Sequence, residues 1–343
     1  MDTMMSRAML LPTPGDPYIC SMWINSYKKY CQRNIDKLYV LINSPVDTPV
    51  YNYVINLFKE INAEVIHYDN FIGHGHALTE LLERCKEDYV FISEDDFYLQ
   101  EGGWVDEWFG EVESNRTDMI VSTRGSAHPT LNTAIGEYYD LSPAETEEPN
   151  FWPSLFVGKR KDLQKTDKDF EAKTFKAGEY IKEIDYTPPI NMSSDTFGWM
   201  SMQLRAMGLR YKKVKQWRLI DIVINKLSNP PWVHLGSGST SLNSHLFNPD
   251  MTVFGNKHKA GKKEQALPKM TDKKTKVFFE QKFAWWKIAS IAFPISENSP
   301  ASYFNSRYQE AIDNTIEKLD LDMITVEENM YILKHVLQPS LTR

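Results

Sequence analysis

Residues 88–99 read Asp88-Tyr89-Val90-Phe91-Ile92-Ser93-Glu94-Asp95-Asp96-Phe97-Tyr98-Leu99. The run from Tyr89 to Ile92 is apolar without alternation, as expected of a strand covered on both faces of a sheet. It leads straight into three adjacent acids. Carboxylates crowded in this way repel one another unless something cationic sits among them. Oxygen ligands suit hard ions such as Mg²⁺ or Mn²⁺, and Mg²⁺ is commonly held by one or two carboxylates together with substrate phosphates. The triplet therefore points to a divalent metal carrying a phosphorylated ligand. The competing reading is an acidic strand end that is merely solvated or caps the next helix.

Outward from this junction, the first half of the chain alternates. Residues 8–11 form an apolar strand that stops at Pro12-Thr13-Pro14-Gly15, and residues 18–30 carry Ile19, Met22, Trp23 and Tyr27 at helical spacing. A second strand, 37–42, is closed by Asn43-Ser44-Pro45; a helix follows over 51–61, then a third strand over 64–68. Gly73 and Gly75 turn the chain into a helix over 76–85, ahead of the strand at 89–92. Strands alternating with helices of this length imply right-handed crossovers and a mainly parallel sheet, hence an α/β, Rossmann-like fold. Ligands of such sheets bind beyond the carboxyl ends of the strands. The loops at Thr13, at Asn43, over 70–76 and over 94–96 all fall on that edge.

These residues carry a resemblance. Pro12-Thr13 after the first strand, Asn70-Phe71-Ile72-Gly73-His74-Gly75-His76-Ala77 before the third helix, and the strand ending in Glu94-Asp95-Asp96 resemble the framework of GT-A glycosyltransferases, most closely the family-2 type, over roughly residues 8–245. The acid triplet is DXD-like, with Glu94 in the first place. The second-strand loop, Asn43-Ser44-Pro45-Val46-Asp47, replaces the usual Asp-rich turn. The resemblance implies a metal-dependent enzyme that transfers a hexosyl or pentosyl group from a nucleotide sugar, UDP-linked in the first instance, with Mn²⁺ or Mg²⁺. It places Pro12, Thr13, Asn70, Gly75 and His76 beside the nucleotide, Asp96 on the metal, and Glu94 or Asp95 on the ribose or sugar side. His74 and His76 are expected near the nucleotide rather than the metal.

Further along, strands are expected over 119–122 and 151–157. Ser193-Ser194-Asp195 then precedes Phe197, Met200, Leu204 and Met207, a helical pattern with a serine cap expected at its start and Gly208 at its finish. By resemblance, Asp195 is the general base that deprotonates the acceptor hydroxyl, giving inversion. An Asp in the first turn of a helix is also explained by the helix dipole alone. Trp232-Val233-His234-Leu235 is a strand that leads into Gly236-Ser237-Gly238-Ser239. The resemblance makes His234 a further metal ligand, and the backbone at Gly236 and Ser237 is suited to approach a diphosphate. A lone strand histidine and a mobile Gly-Ser loop are the plain alternatives.

Composition bounds the rest. The chain has 343 residues, 42% hydrophobic and 13% aromatic, enough for a large core, and a net charge of −7 that gives no overall nucleic-acid signature. Cys20, Cys31 and Cys85 lack disulfide or metal spacing and fit a reducing compartment. With no signal-type N-terminus and no run of about 18 apolar residues, the sequence predicts a cytoplasmic protein without stable membrane insertion. It leaves the oligomeric state open. Residues 1–245 are expected to form the nucleotide-sugar-binding and catalytic domain, and 246–343 a basic loop with a helical C-terminal extension.

That loop, 256–276, holds Lys257, Lys259, Lys262, Lys263, Lys269, Lys273, Lys274 and Lys276 against Glu264 and Asp272. It reads as a solvated surface loop, as a lid over the donor diphosphate, or as a track for a polyanionic acceptor. The aromatic stretch that follows, 278–293, reads as core. Helices are expected over 303–319 and over 325–337, the latter with a Thr325-x-x-Glu328 capping box. The first acceptor expectation is a hydroxymethylated base in DNA, an activity found among viral glycosyltransferases. A surface glycan or lipid-linked sugar is the alternative acceptor, and a nucleotidyltransferase of nucleotide sugars the alternative enzyme.

Overall fold

Strand β1, Arg7–Thr13, sends its side chains alternately into two cores. Met9 and Leu11 join one buried cluster, Ala8 and Leu10 the other. This is the period-2 geometry of a strand covered on both faces. A computed structural model describes residues 5–43, 49–68, 72–124, 135–217, 230–235, 273–302 and 321–342, with 305–306, 309–310 and 313 between the last two.

The other strands are β2 Lys37–Ile42, β3 Glu64–His67, β4 Tyr89–Ser93, β5 Phe97–Leu99, β6 Met119–Arg124, β7 Asn150–Lys159, β8 Thr174–Phe175, β9 Met192–Ser193, β10 Tyr211–Lys213 and β11 Trp232–His234. Seven form one sheet in the order β10-β6-β7-β4-β1-β2-β3. β1 runs parallel to β2 and β4, β2 to β3, and β6 to β10; β7 alone is antiparallel, inserted between β4 and β6. The mainly parallel α/β expectation holds.

Helices α1 Pro17–Tyr30, α2 Pro49–Lys59, α3 His74–Arg84 and α4 Trp104–Glu113 are followed by the short α5 Pro143–Glu147 and α6 Arg160–Leu163. Beyond these lie α7 Gly198–Ala206, α8 Lys273–Ala292, α9 Met323–Val336 and the short α10 Gln338–Leu341. On one face of the sheet, Trp23 of α1, Phe58 of α2 and Trp108 of α4 share a core with Trp285 and Trp286 of α8 and Leu333 of α9. The expected aromatic core stretch is thus confirmed at Phe283, Trp285, Trp286, Ile288 and Phe293, whereas Ile291 is 71% exposed. On the other face, Leu78 and Leu81 of α3 share a second core with Met200 and Leu204 of α7.

Three local expectations are corrected. The helix after Asp195 has no serine cap: β9 occupies 192–193, and α7 opens only at Gly198, after Phe197 at φ 67°. The helix near the C-terminus starts at Met323 and is capped by Asp322, which accepts from the Ile324 amide at 3.0 Å and from the Thr325 hydroxyl at 2.8 Å. An Asp one turn earlier outcompetes the Thr325 box because its carboxylate reaches the free amide of that turn. The third is β1, which continues through Pro12 and Thr13, the residues expected to turn. Gly208 does end α7, at φ 69°. Most of 303–319, and Lys257 through Lys269, lie outside the described residues.

Candidate metal centre

The acid triplet sits in the turn between β4 and β5, at the carboxyl edge of the parallel strands. A second, two-stranded sheet then brings a distant segment to it. β11 pairs antiparallel with β5, putting His234 in register with Phe97, and the Leu235 amide donates to the Asp96 carbonyl at 2.9 Å. His234 Nε2 thereby lies 3.2 Å from Asp96 Oδ1 and 3.3 Å from Glu94 Oε2. One donor atom from each of Glu94, Asp96 and His234 falls within 4.8 Å of the other two. Asp96 and His234 are buried, while the Glu94 side chain keeps 18% of its exposure.

Burial alone pushes the His234 imidazole down, but the charges of Asp96 and Glu94 outweigh it and hold the group up at about 9. Two carboxylates and one imidazole in this arrangement form a hard, mixed oxygen and nitrogen donor set that fits Mn²⁺ or Mg²⁺. Glu94 is further oriented by Trp152, whose Nε1 donates to Oε2 at 3.1 Å, and by His74, whose Nε2 lies 3.6 Å from Oε1. His74, expected only beside the nucleotide, thus borders the metal cluster.

The middle acid faces another way. Thr13 at the end of β1 donates from Oγ1 to Asp95 Oδ2 at 2.7 Å, and the same hydroxyl accepts from the Gly15 amide at 3.0 Å. Gly15 takes φ 84°, which carries the chain out of β1 to Asp16; Asp16 Oδ1 caps α1 by accepting from the amides of Tyr18 and Ile19. Pro12 is buried within β1, in register with Leu41. Neighbouring loops are tied in by Asn43, which donates to the Gly73 carbonyl at 3.1 Å and accepts from the Ile72 amide at 3.0 Å.

Gly75 and His76 pack on Glu171. A Cβ at Gly75 would come within 2.7 Å of the Glu171 Cα, and the His76 amide donates to Glu171 Oε1 at 2.6 Å. Asn70, Gly236 and Ser237 lie outside the described residues.

Asp195 is linked to the cluster through Arg124 at the end of β6. Arg124 Nη1 lies 3.1 Å from Asp195 Oδ2, and its guanidinium stacks 4.7 Å above the Trp152 ring that bonds Glu94. The Asp195 side chain is 72% exposed. Neither Arg124 nor Trp152 is singled out by the sequence, because one is the last residue of a strand and the other an aromatic among aromatics.

No known protein family matches the sequence, and no curated protein matches it. Among solved structures, the chain is similar to a mannosyltransferase from Pyrobaculum calidifontis in complex with GDP-Man and Mn²⁺, with TM-score 0.42 and 12% identity over 94% of this chain and 73% of that one. It is also similar to glucosyl-3-phosphoglycerate synthase from Mycobacterium tuberculosis in complex with phosphoglyceric acid, with TM-score 0.35 and 18% identity. That match covers 48% of this chain and 60% of the synthase, so the chain spans about three fifths of the synthase's length.

Proposed function

We propose that the protein is a metal-dependent glycosyltransferase of GT-A type, moving a sugar from a nucleotide-sugar donor to an acceptor hydroxyl. The convergence of Glu94, Asp96 and His234 at the carboxyl edge of a mainly parallel sheet carries this reading. Asp96 and His234 hold the metal, with Glu94 beside them. A bound divalent ion supplies positive charge against a leaving diphosphate. Thr13 and Asp95, locked together next to this centre, take the nucleotide side, where Pro12, Asn70, Gly75, His76, Gly236 and Ser237 are assigned with them; a UDP-sugar is the first donor to offer.

Asp195 is assigned as the base that removes the acceptor proton, which makes the reaction an inverting displacement. Its ion pair with Arg124 supports this, because it holds an exposed carboxylate on the side chains that flank Glu94. The acceptor assigned first is a hydroxymethylated base in DNA, met by the lysines of 257–276; this rests on their sequence alone. Among the described residues no helix is long and apolar enough to cross a membrane.

The test is a thermal-shift and transfer assay with UDP- and GDP-sugars, with and without Mn²⁺. A donor that raises the melting temperature only with metal is expected, since a ligand binding the native state alone stabilises it. A protein indifferent to every sugar nucleotide with Mn²⁺ present would falsify the proposal. Offering hydroxymethylated DNA and a glycan acceptor with labelled donor decides the acceptor, and NMR of the product anomer decides inversion.

A further inference from the structure

We infer that Gln216 is a positioning residue that fixes the tautomer of the neutral His234 imidazole, so that Nε2, once deprotonated, is free to ligate a cation held with Asp96 and Glu94; this rests on the metal-centre reading above. A chain of hydrogen bonds with one fixed end leads there. The Leu155 carbonyl can only accept, so the Ser122 hydroxyl, 3.4 Å away, donates to it. Ser122 Oγ then accepts from the Gln216 side chain at 2.9 Å, which makes the contacting atom the amide nitrogen Nε2. Ser154 Oγ accepts from the same nitrogen.

The other arm of the amide is therefore the oxygen, and it lies 3.3 Å from His234 Nδ1. An amide oxygen cannot donate, so Nδ1 carries the proton. In a neutral imidazole that leaves the lone pair on Nε2, the atom that faces both carboxylates. The reverse tautomer would present an N–H to an arriving cation.

The anchors of this relay are rigid. Ser122 and Ser154 are fully buried on the adjacent strands β6 and β7. The segment that carries Gln216 is fastened on both sides: the Val214 amide donates to the Val121 carbonyl at 2.8 Å, and the His234 amide to the Trp217 carbonyl at 3.0 Å. Trp232 Nε1 donates to the Lys215 carbonyl at 2.8 Å. Histidine ligands whose second nitrogen donates to a fixed acceptor lose about 10- to 100-fold in metal affinity when that acceptor is removed.

The experiment is Mn²⁺ titration calorimetry on the full chain, with circular-dichroism melting to confirm folding, for wild type, Gln216→Leu, Gln216→Glu and Asp96→Ala. Gln216→Leu is expected to weaken Mn²⁺ binding by about 10- to 100-fold. Gln216→Glu, whose carboxylate still accepts from Nδ1–H, is expected to bind at least as tightly as wild type. Wild-type affinity in Gln216→Leu, or equal losses in both variants, overturns the inference, the second outcome marking Gln216 as merely structural. If Gln216→Leu does not fold, Gln216→Met, of similar length, is measured in its place against the same outcomes. Asp96→Ala separates the two proposals: unaltered binding there removes the metal centre itself, whereas its loss beside an intact Gln216→Leu removes only the role of Gln216.

Discussion

The two edges of the main sheet treat charge in opposite ways. At the amino edge, Arg7 and Arg210 are each matched by acids. Arg7 opens β1 between Glu113, 2.7 Å away, and Asp106, 2.9 Å away, and Arg210 meets Asp118 at 3.1 Å. Arg7 is accordingly raised above its ordinary value, the Glu113 hydrogen bond outweighing its desolvation, and Asp118 is lowered, chiefly by its hydrogen bond to Arg210. At the carboxyl edge, Glu94, Asp95 and Asp96 stand together, and among the described residues His234 lies beside Glu94 and Asp96 and His74 beside Glu94. Exposed ion pairs contribute little to a fold, whereas like charge gathered in a buried turn calls for a positive partner, which the protonated His234 imidazole supplies to Asp96 and Glu94. The gathering of acids at the carboxyl edge is the feature on which the proposed metal centre rests.

Removing a donor from the carboxyl edge should have the largest effect. Asp96→Ala is expected to lower Mn²⁺ affinity by more than about 100-fold, because losing an outer partner of a metal ligand already costs about 10- to 100-fold. Metal-dependent transfer should vanish with it, and activity equal to wild type in Asp96→Ala would refute the contrast. For Asp195→Asn, a fall in kcat of about 10² to 10⁴ is expected if the carboxylate takes the acceptor proton. Its melting temperature should hardly move, since the side chain is 72% exposed; an unchanged kcat would leave Asp195 as the partner of Arg124 and nothing more.

The His234 imidazole gives the contrast a pH signature. Its folded pKa of about 9 lies above the ordinary 6.5. The stabilisation, on the order of 3 kcal/mol, is therefore fully present below pH 6.5 and is lost as pH rises through 9. Melting curves from pH 6 to 10 in EDTA should show that decline, and His234→Gln should flatten it. Mn²⁺ should oppose the trend, because it binds the deprotonated imidazole. A decline that persists in His234→Gln would place the titrating group elsewhere.

The smallest effect belongs to the amino edge. Glu113→Ala leaves Arg7 with Asp106 alone and should cost about 1.5–3 kcal/mol in urea denaturation, the range for hydrogen bonds to charged groups. Its Mn²⁺ affinity should match wild type; a change there would mean that the two edges are coupled.

Much of this arrangement is legible in the sequence. β2 matches its expected bounds, and β1, β3, β4, β6 and β7 lie within three residues of theirs, because strands covered on both faces must be continuously apolar. The acid triplet is equally visible, being contiguous. β5 and β11 are a different case: each has three residues, and their pairing joins Phe97 to His234 across more than a third of the chain's length. No local pattern specifies that partnership. The helix at 104–113 also goes unread.

The sequence by itself determined the alternation of strand and helix, the edge on which polar loops collect, and the identity of the acids, because each of these is written in neighbouring residues. Only the tertiary structure decided that β7 runs antiparallel between β4 and β6, that His234 stands 3.2 Å from Asp96, and that Gln216 stands behind it. Such contacts depend on loop closure and on the packing of remote segments around a shared core, and their free energy appears only once the chain has come together.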